Sequence, residues 1–394
     1  MPSRGEGIPK CLLQRGDDTH FKEIKIMQTA MSLEDLLGTV ITQSNTKEDL
    51  VVPTGNIEMY QSEIGSPMSL VIDGGASGCR DFDISDIAHR QIAARLKIPT
   101  QYYLRLLSEH PDLVLMQVNE LFKREPESRM LRTLDGKLRA FLSNSYRRLD
   151  NDIVLENALP QIVSGDIETK LLSCNVTDRK MYMKVLFPDD RLAQEIGTTA
   201  DGSPDIVRPG FILRNSEIGQ GSLSIDGFFY RSFCENGCHF GGINTVNFKR
   251  SHLGGRLIEG ADFSIISDET RAAEDAALVG QTTDVLRALA SPELSQKMGD
   301  KLRATKDTPL VENPVEAIEV LAREVGLRQN EKDRVLESFI KDQDYSLWGA
   351  INAVTEQANS AEQCSYDRAT ELEAIGGKML SMGKSSWNRI AQAA

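Results

Sequence analysis

The sequence predicts an α+β fold, with an antiparallel, twisted central sheet flanked by an N-terminal helical hairpin and a C-terminal helical region. Three observations lead there. Apolar residues recur at helical spacing over residues 81–125 and again from Asp268 onward. Between them, residues 167–258 break into short segments of strand character. Gly, Asn and Pro punctuate those segments too closely for βαβ crossovers. The organisation read from this is a poorly ordered lead over 1–30, a mostly helical region over 31–125, a β-rich region over 126–266 and a helical region over 267–394.

In chain order, Leu33, Leu36, Leu37, Val40 and Ile41 place a short helix over Met31–Thr42, with Ser32 and Asp35 resembling a capping box. Ser69–Asp73 is a strand candidate followed by a Gly-Gly turn signal. A helix capped at Ser85 should break at Ile98–Pro99 and restart at Thr100, and a third should run from Asp112 toward Arg124. Asp135–Gly136 between two apolar segments predicts a β-hairpin, with a helix from Asp152 to about Ile162 after it.

Lys180–Phe187 alternates, putting Met181, Met183, Val185 and Phe187 on one face. Phe211–Arg214, Ser222–Asp226, Phe228–Cys234 and Asn244–Lys249 are further strands. Helices are predicted over Thr270–Ala290, Pro314–Val325, Glu331–Lys341, Ser346–Ala358 and Ser365–Met382.

The 394 residues, 40% hydrophobic and 26% charged, suffice for more than one core and exclude wholesale disorder. No apolar run approaches the roughly 20 residues of a membrane span, and the N-terminus lacks a signal-peptide core. Six scattered cysteines are no disulfide framework. The expected location is therefore the host-cell cytoplasm, with no membrane partner. The net charge of −13 divides into −6 over residues 1–120, +2 over 121–258 and −9 over 259–394. An acidic total thus leaves room for a local basic face in the middle.

Four constellations bear on chemistry. RQIAARLKIPTQYYLRLL at 90–107 has the cadence of a helix-turn-helix, with Gln101, Tyr102 and Arg105 on the second helix. That helix carries one Arg among many apolar residues, and Lys97 stands where the turn favours glycine, so a plain helical hairpin is the better reading. Cys234, Cys238, His239 and His252 are zinc-ligand types, with Cys174 a remote fourth donor. Adjacent strand residues point to opposite faces, which splits Cys238 from His239, and no metal is expected. Arg139, Tyr146, Arg147, Arg148, Arg214, Arg231, Lys249, Arg250 and Arg256 are interleaved with Phe141, Phe228, Phe229, Tyr230, Phe233 and Phe248. Single strands are held by such basic grooves and stacking faces. Tyr146-Arg147-Arg148 is the expected anchor, exposed after the hairpin. The rival reading has one arginine pairing with Asp150 or Asp152 to pin the next helix. Trp348, Asn352 and Thr355 share a helix face and read as a packing seam. Phosphate loops, dinucleotide-binding fingerprints, nucleophile elbows and His-Glu-x-x-His are absent, so no catalytic residue and no cofactor is expected.

Four segments, AHRQIAARLKIPTQYYLRLL, KLRAFLSNSYRRLDN, RPGFILRNSEIGQGSLSIDGFFYRSFCENG and SLWGAINAVTEQ, resemble the phage/plasmid-like family known as domain of unknown function 932. They span roughly residues 85–360. The resemblance implies a mobile-element protein and brings no list of catalytic residues. The leading expectation is a phage- or plasmid-encoded protein that binds single-stranded DNA or RNA, as a recombination mediator or strand-annealing homo-oligomer. The alternative is a non-enzymatic interaction protein whose acidic C-terminal helices bind a host or phage protein. A metal-dependent or cysteine enzyme built on Cys234, Cys238, His239 and His252 is a third reading.

Overall fold

The computed structural model describes residues 31–392 except 64, 74–77, 164–166, 178, 200–201, 232–235, 240–246, 251–267, 310–312 and 360–364. The expected lead over 1–30 lies outside the described residues. So do Cys234, His252 and Arg256. The described chain is of mixed α and β content and holds two sheets, almost wholly antiparallel.

The first helix, α1 (Leu33–Thr46), begins where the Ser32 hydroxyl accepts the Asp35 N–H at 3.0 Å. Four strands follow, β1 (Glu48–Pro53), β2 (Ile57–Gln61), β3 (Met68–Asp73) and β4 (Cys79–Ile84). Then come α2 (Asp86–Arg95), α3 (Thr100–Glu109), α4 (Pro111–Arg124) and the hairpin β5 (Ser128–Leu134) and β6 (Lys137–Ser143). The hairpin turns at Asp135 and Gly136, both at positive φ (50° and 75°), the conformation a two-residue turn demands. These strands form one sheet in the order β1-β5-β6-β4-β3-β2, with β4 and β6 its only parallel pair. Leu70, Phe82, Leu131 and Phe141 on one face pack against Ala88, Ile92, Tyr103, Val118 and Phe122 of the helices.

Region 31–125 thus carries four strands beside its four helices, more sheet than periodicity indicated. The strands are only five or six residues long. In β4 the residues Cys79, Arg80, Asp81 and Asp83 are exposed while Phe82 and Ile84 alone face the core, too few apolar positions to establish a period. The edge strand β2 is covered from α4. Asn119 accepts the Met59 N–H and donates to the Met59 carbonyl, both at 2.8 Å, which occupies a backbone pair otherwise open to edge-to-edge association.

After α5 (Asn151–Val163) the second sheet is built from β7 (Lys170–Val176), β8 (Met181–Leu186), β9 (Gln194–Thr198), β10 (Pro204–Asn215), β11 (Leu223–Arg231), β12 (Asn236–His239) and β13 (Asn247–Arg250). Its order is β12-β11-β10-β8-β7, with β13 on β11 and β9 on β10. The two strands expected on either side of Gly227 are one strand. Glycine serves there for closeness, since a Cβ at 227 would lie 2.7 Å from the Leu289 side chain. Met181, Met183, Val185 and Phe187 face the core shared with α1, α5 and α6 (Asp268–Leu289), as the alternation predicted.

The C-terminal helices are α7 (Pro292–Lys306), α8 (Pro314–Val325), α9 (Gln329–Asp342), α10 (Leu347–Glu356), α11 (Tyr366–Leu380) and α12 (Lys384–Gln392). They cover the opposite face of the second sheet, where Tyr182 donates to Asp367 at 2.8 Å and Lys184 pairs with Glu373. Trp348, Asn352 and Thr355 are all buried, the seam the sequence placed there. The Trp348 indole N–H donates to Asp205, which is also gripped by Arg231 through two 2.7 Å bonds. Among the described residues no helix is long and apolar enough to cross a membrane.

His89 of α2 is buried and shares a 2.9 Å hydrogen bond with the Tyr103 hydroxyl of α3. Burial lowers its pKa from 6.5 to about 4, only partly opposed by Asp86. The unfolded chain therefore binds a proton first. Stability from this group is complete above pH 6.5, falls as the pH drops, and levels out below about 4 at a loss of about 3 kcal/mol. Urea unfolding at a series of pH values should show this slope between 6.5 and 4, and His89→Gln should flatten it.

Candidate functional site

The two most specific sequence phrases meet at the joint between the sheets. Residues 143–151 (SNSYRRLDN) leave β6, and residues 214–222 (RNSEIGQGS) connect β10 to β11. The Tyr146 hydroxyl donates to the Ser216 carbonyl at 3.1 Å, and Asn215 donates to Leu149 O at 2.7 Å and to Asn151 Oδ1 at 2.9 Å. The Asn151 N–H is accepted by Glu217 at 2.7 Å. From α2, Gln91 donates to Ile218 O at 2.8 Å while accepting the Phe141 N–H at 2.7 Å. Gly219, at φ +73°, lets the loop turn beneath Leu142, whose side chain a Cβ would approach to 2.9 Å.

Charge locks this joint. Arg132 of β5 is fully buried and its guanidinium donates to Asp49 (2.8 and 3.2 Å), Asp150 (2.7 Å) and Glu217 O (2.8 Å). The Lys47 ammonium lies 2.8 Å from Asp150, 3.0 Å from Asp152 and 3.9 Å from Glu217. Arg139 reaches Glu217 at 2.7 Å. Burial pushes the Asp150 carboxyl up, but Arg132 and Lys47 outweigh it and hold it below the usual carboxylate range. Asp152 is likewise held down against burial by Ser44 and Lys47. Burial works against the Lys47 charge, and Asp150, Glu217 and Asp152 together hold its pKa above the usual value. Asp150, Asp152 and Glu217 offer ligand atoms within 4.8 Å of one another, close enough for one cation. The Lys47 ammonium supplies the positive charge among them.

Most of the expected binding residues turn inward. Tyr146, expected to stack on a base, is 9% exposed with its hydroxyl committed to Ser216, because the loop closes over its ring. Arg231 is buried on Asp205, Arg214 pairs with Asp226 at 3.0 Å, and Arg139 pairs with Glu217. Phe141 lies in the core of the first sheet, and Phe228, Phe229 and Tyr230 are buried because both faces of the second sheet are covered. Lys249 and Arg250 stand on β13, opposite Ser224 and Leu223, with their side chains outside the described set. Arg148 is 49% exposed and Arg147 half-buried. Arg148 pairs with Asp49 at 3.2 Å, and Arg132 and Lys47 take the Asp150 and Asp152 partners foreseen for the arginines.

Sequence reasoning missed three further cations at the same loop. The Ser216 hydroxyl donates to Arg179 O at 2.8 Å, and the Lys180 side chain lies over Gly221. Arg179 is exposed at the turn between β7 and β8. Arg90, also exposed, precedes the loop-binding Gln91 on α2. Arg90, Arg179 and Lys180 have no carboxylate partner among the described residues. A Thr-Asp-Arg-Lys turn signal before a clean alternating strand marked this turn in the sequence. What was hidden is its closure onto a loop some forty residues later.

Of the zinc-type residues, Cys238 and His239 lie on β12. Cys174 lies on β7, buried against Met31 O at 3.4 Å, its thiol pushed up to about 11 by burial. Three strands separate it from β12. At about 4.8 Å per strand this is too far for ligands of one ion.

A family model described as Domain of unknown function (DUF932) matches residues 140–375, more than half of the chain. The match runs from β6 to α11 and takes in both phrases of the joint; the α2–α3 segment precedes it. Comparison with curated proteins and with solved structures gives no match.

Removing Lys47 should leave three carboxylates crowded on two arginines. Lys47→Met is expected to cost about 3 kcal/mol in urea unfolding. Asp150 and Asp152 have depressed pKa values, so their contribution is present above the unfolded value of about 3.9 and lost as pH falls through the folded values. The variant should therefore unfold at a higher pH on acid titration followed by circular dichroism.

Proposed function

The chain belongs to the DUF932 family, and from its joint we propose that it binds single-stranded DNA or RNA as a polyanion. The carrying observation is the set of basic residues on the segments that clamp the Ser216–Gly221 loop. Arg90, Arg147, Arg148, Arg179 and Lys180 come to it from α2, from the segment after β6 and from the β7–β8 turn. Arg90, Arg179 and Lys180 have no carboxylate partner among the described residues, and an anion between neighbouring cations relieves their repulsion. Arg148 can exchange Asp49 for a phosphate without stranding a buried charge, because Arg132 still holds Asp49. A flexible strand can wrap a loop approached from three sides, whereas a duplex presents its phosphates on a fixed lattice. With Tyr146 and the sheet aromatics inside, affinity rests on phosphate contacts and tolerates any sequence. The setting proposed with it is a phage- or plasmid-encoded recombination mediator or annealing protein, working as a homo-oligomer in the host cytoplasm. The alternative, a protein partner on the acidic C-terminal helices, has exposed Val315, Ile340 and Tyr345 in its favour.

Fluorescence anisotropy with a labelled oligothymidine over a salt series tests the reading. Binding should weaken steeply with salt. Replacing Arg148, Arg179 and Lys180 together by Ala should lower the slope by about 2. The melting temperature should barely change, since exposed pairs contribute about 0–1 kcal/mol. A wild-type chain that shows no salt-sensitive binding at low ionic strength would sink this reading in favour of the protein partner.

A further inference from the structure

We infer that α3 is a groove-reading helix, and that the α2–α3 hairpin is a docking unit for a nucleic-acid duplex. This goes beyond the strand-binding cations and stands on separate geometry. The doubt raised by the sequence was the missing turn glycine and the apolar bulk of the second helix. Both are resolved by the backbone. Lys97 itself adopts the left-handed conformation (φ +55°), and the chain closes with Ile98 N–H to Ala93 O at 2.9 Å and Lys97 N–H to Ala94 O at 3.2 Å. A lysine at positive φ is strained, and its retention there leaves a cation at the tip of the turn.

The apolar residues of α3 are spent inward. Tyr103 and Leu106 are buried with Ala88, Ile92, Ala93 and Ile98, while Leu104 and Leu107 are half-buried. The His89–Tyr103 hydrogen bond pins the two helices together. What remains outside is Gln101, Tyr102, Arg105 and Ser108, with Glu109 at the C-terminal end of the same row. Gln101 and Arg105 are four residues apart and so lie one above the other on the helix face. An amide can bond an adenine edge and a guanidinium a guanine edge in the major groove, each bidentately. The Arg105 guanidinium rests 5.4 Å from the Tyr102 ring centroid, which holds the fork close to the helix. Pro99 gives no side-chain cap to the start of this ten-residue helix, which leaves its first N–H groups for a phosphate. In the fold α3 packs on α2 and α4. A protein interface would be expected to enlist the exposed Leu113 and Met116 of α4 as well.

The test compares a labelled mixed-sequence DNA duplex with one of its strands alone, using the full chain. Gln101→Ala/Arg105→Ala should weaken duplex binding about tenfold and lower its salt slope by about 1. It should leave strand binding and the melting curve unchanged. The triple variant of Arg148, Arg179 and Lys180 should do the reverse, so failure of one surface is distinguishable from failure of the other. Arg105→Lys, which keeps the charge but loses the fork, should retain the salt slope and lose any sequence preference found by selection from a random duplex pool. The inference is overturned if the wild-type chain binds no duplex, or if duplex affinity survives Gln101→Ala/Arg105→Ala. It is overturned equally if sedimentation shows a self-association abolished by those changes and by Leu113→Ser/Met116→Ser, which would make this face a protein interface.

Discussion

The burial of one guanidinium governs how the two sheets are joined. Arg132 has no exposed surface, so its charge survives only because Asp49, Asp150 and a loop carbonyl complete its hydrogen bonds. Those partners come from β1, from the residue before α5 and from the β10–β11 loop. Meeting them sets the two sheets in register with each other. Lys47 and Arg139 extend the same constraint to α1 and β6. A hydrophobic joint of the same size could slide. A network of directional bonds among these segments cannot, without leaving a buried charge unpaired.

From this joint follows the distribution of usable surface. The second sheet is covered on one side by α1, α5 and α6 and on the other by α10 and α11, and its aromatics belong to those two cores. The first sheet gives one face to α2, α3 and α4, and its β2 edge is closed by Asn119. What the cores leave over is the clamped loop and the exposed side of α3. α2 serves both, with Gln91 holding the loop and His89 holding α3. Rigid elements on either side hold these cations, which limits their conformational freedom.

The helices were the legible part of the fold. α8 runs over Pro314–Val325, the span that periodicity and two prolines marked, and Ser85 and Ser32 cap α2 and α1 where their position indicated. Helix signals are local, since capping and periodicity act within a turn or two. The strands β1, β2, β4 and β9 escaped because much of a five- or six-residue strand faces solvent and the rest is too short to show a period. The basic residues of the middle region were read as one exposed set. Charge and residue type cannot tell Arg231, sealed on Asp205, from Arg148, half in solvent.

The sequence by itself determined most of the helices and their apolar faces, the helical hairpin with its break at Ile98–Pro99, and the family of the chain. Each rests on neighbours within a few residues or on phrases with fixed spacing. Only the tertiary structure decided which cations are buried partners and which are free to meet an anion. That choice depends on carboxylates dozens of residues away, as with Asp49 and Arg132, or on a loop that folds back over Tyr146. It decided too that Lys97 could take a left-handed turn without glycine, because the packing of Ile98 and Tyr103 into the core outweighs the local strain.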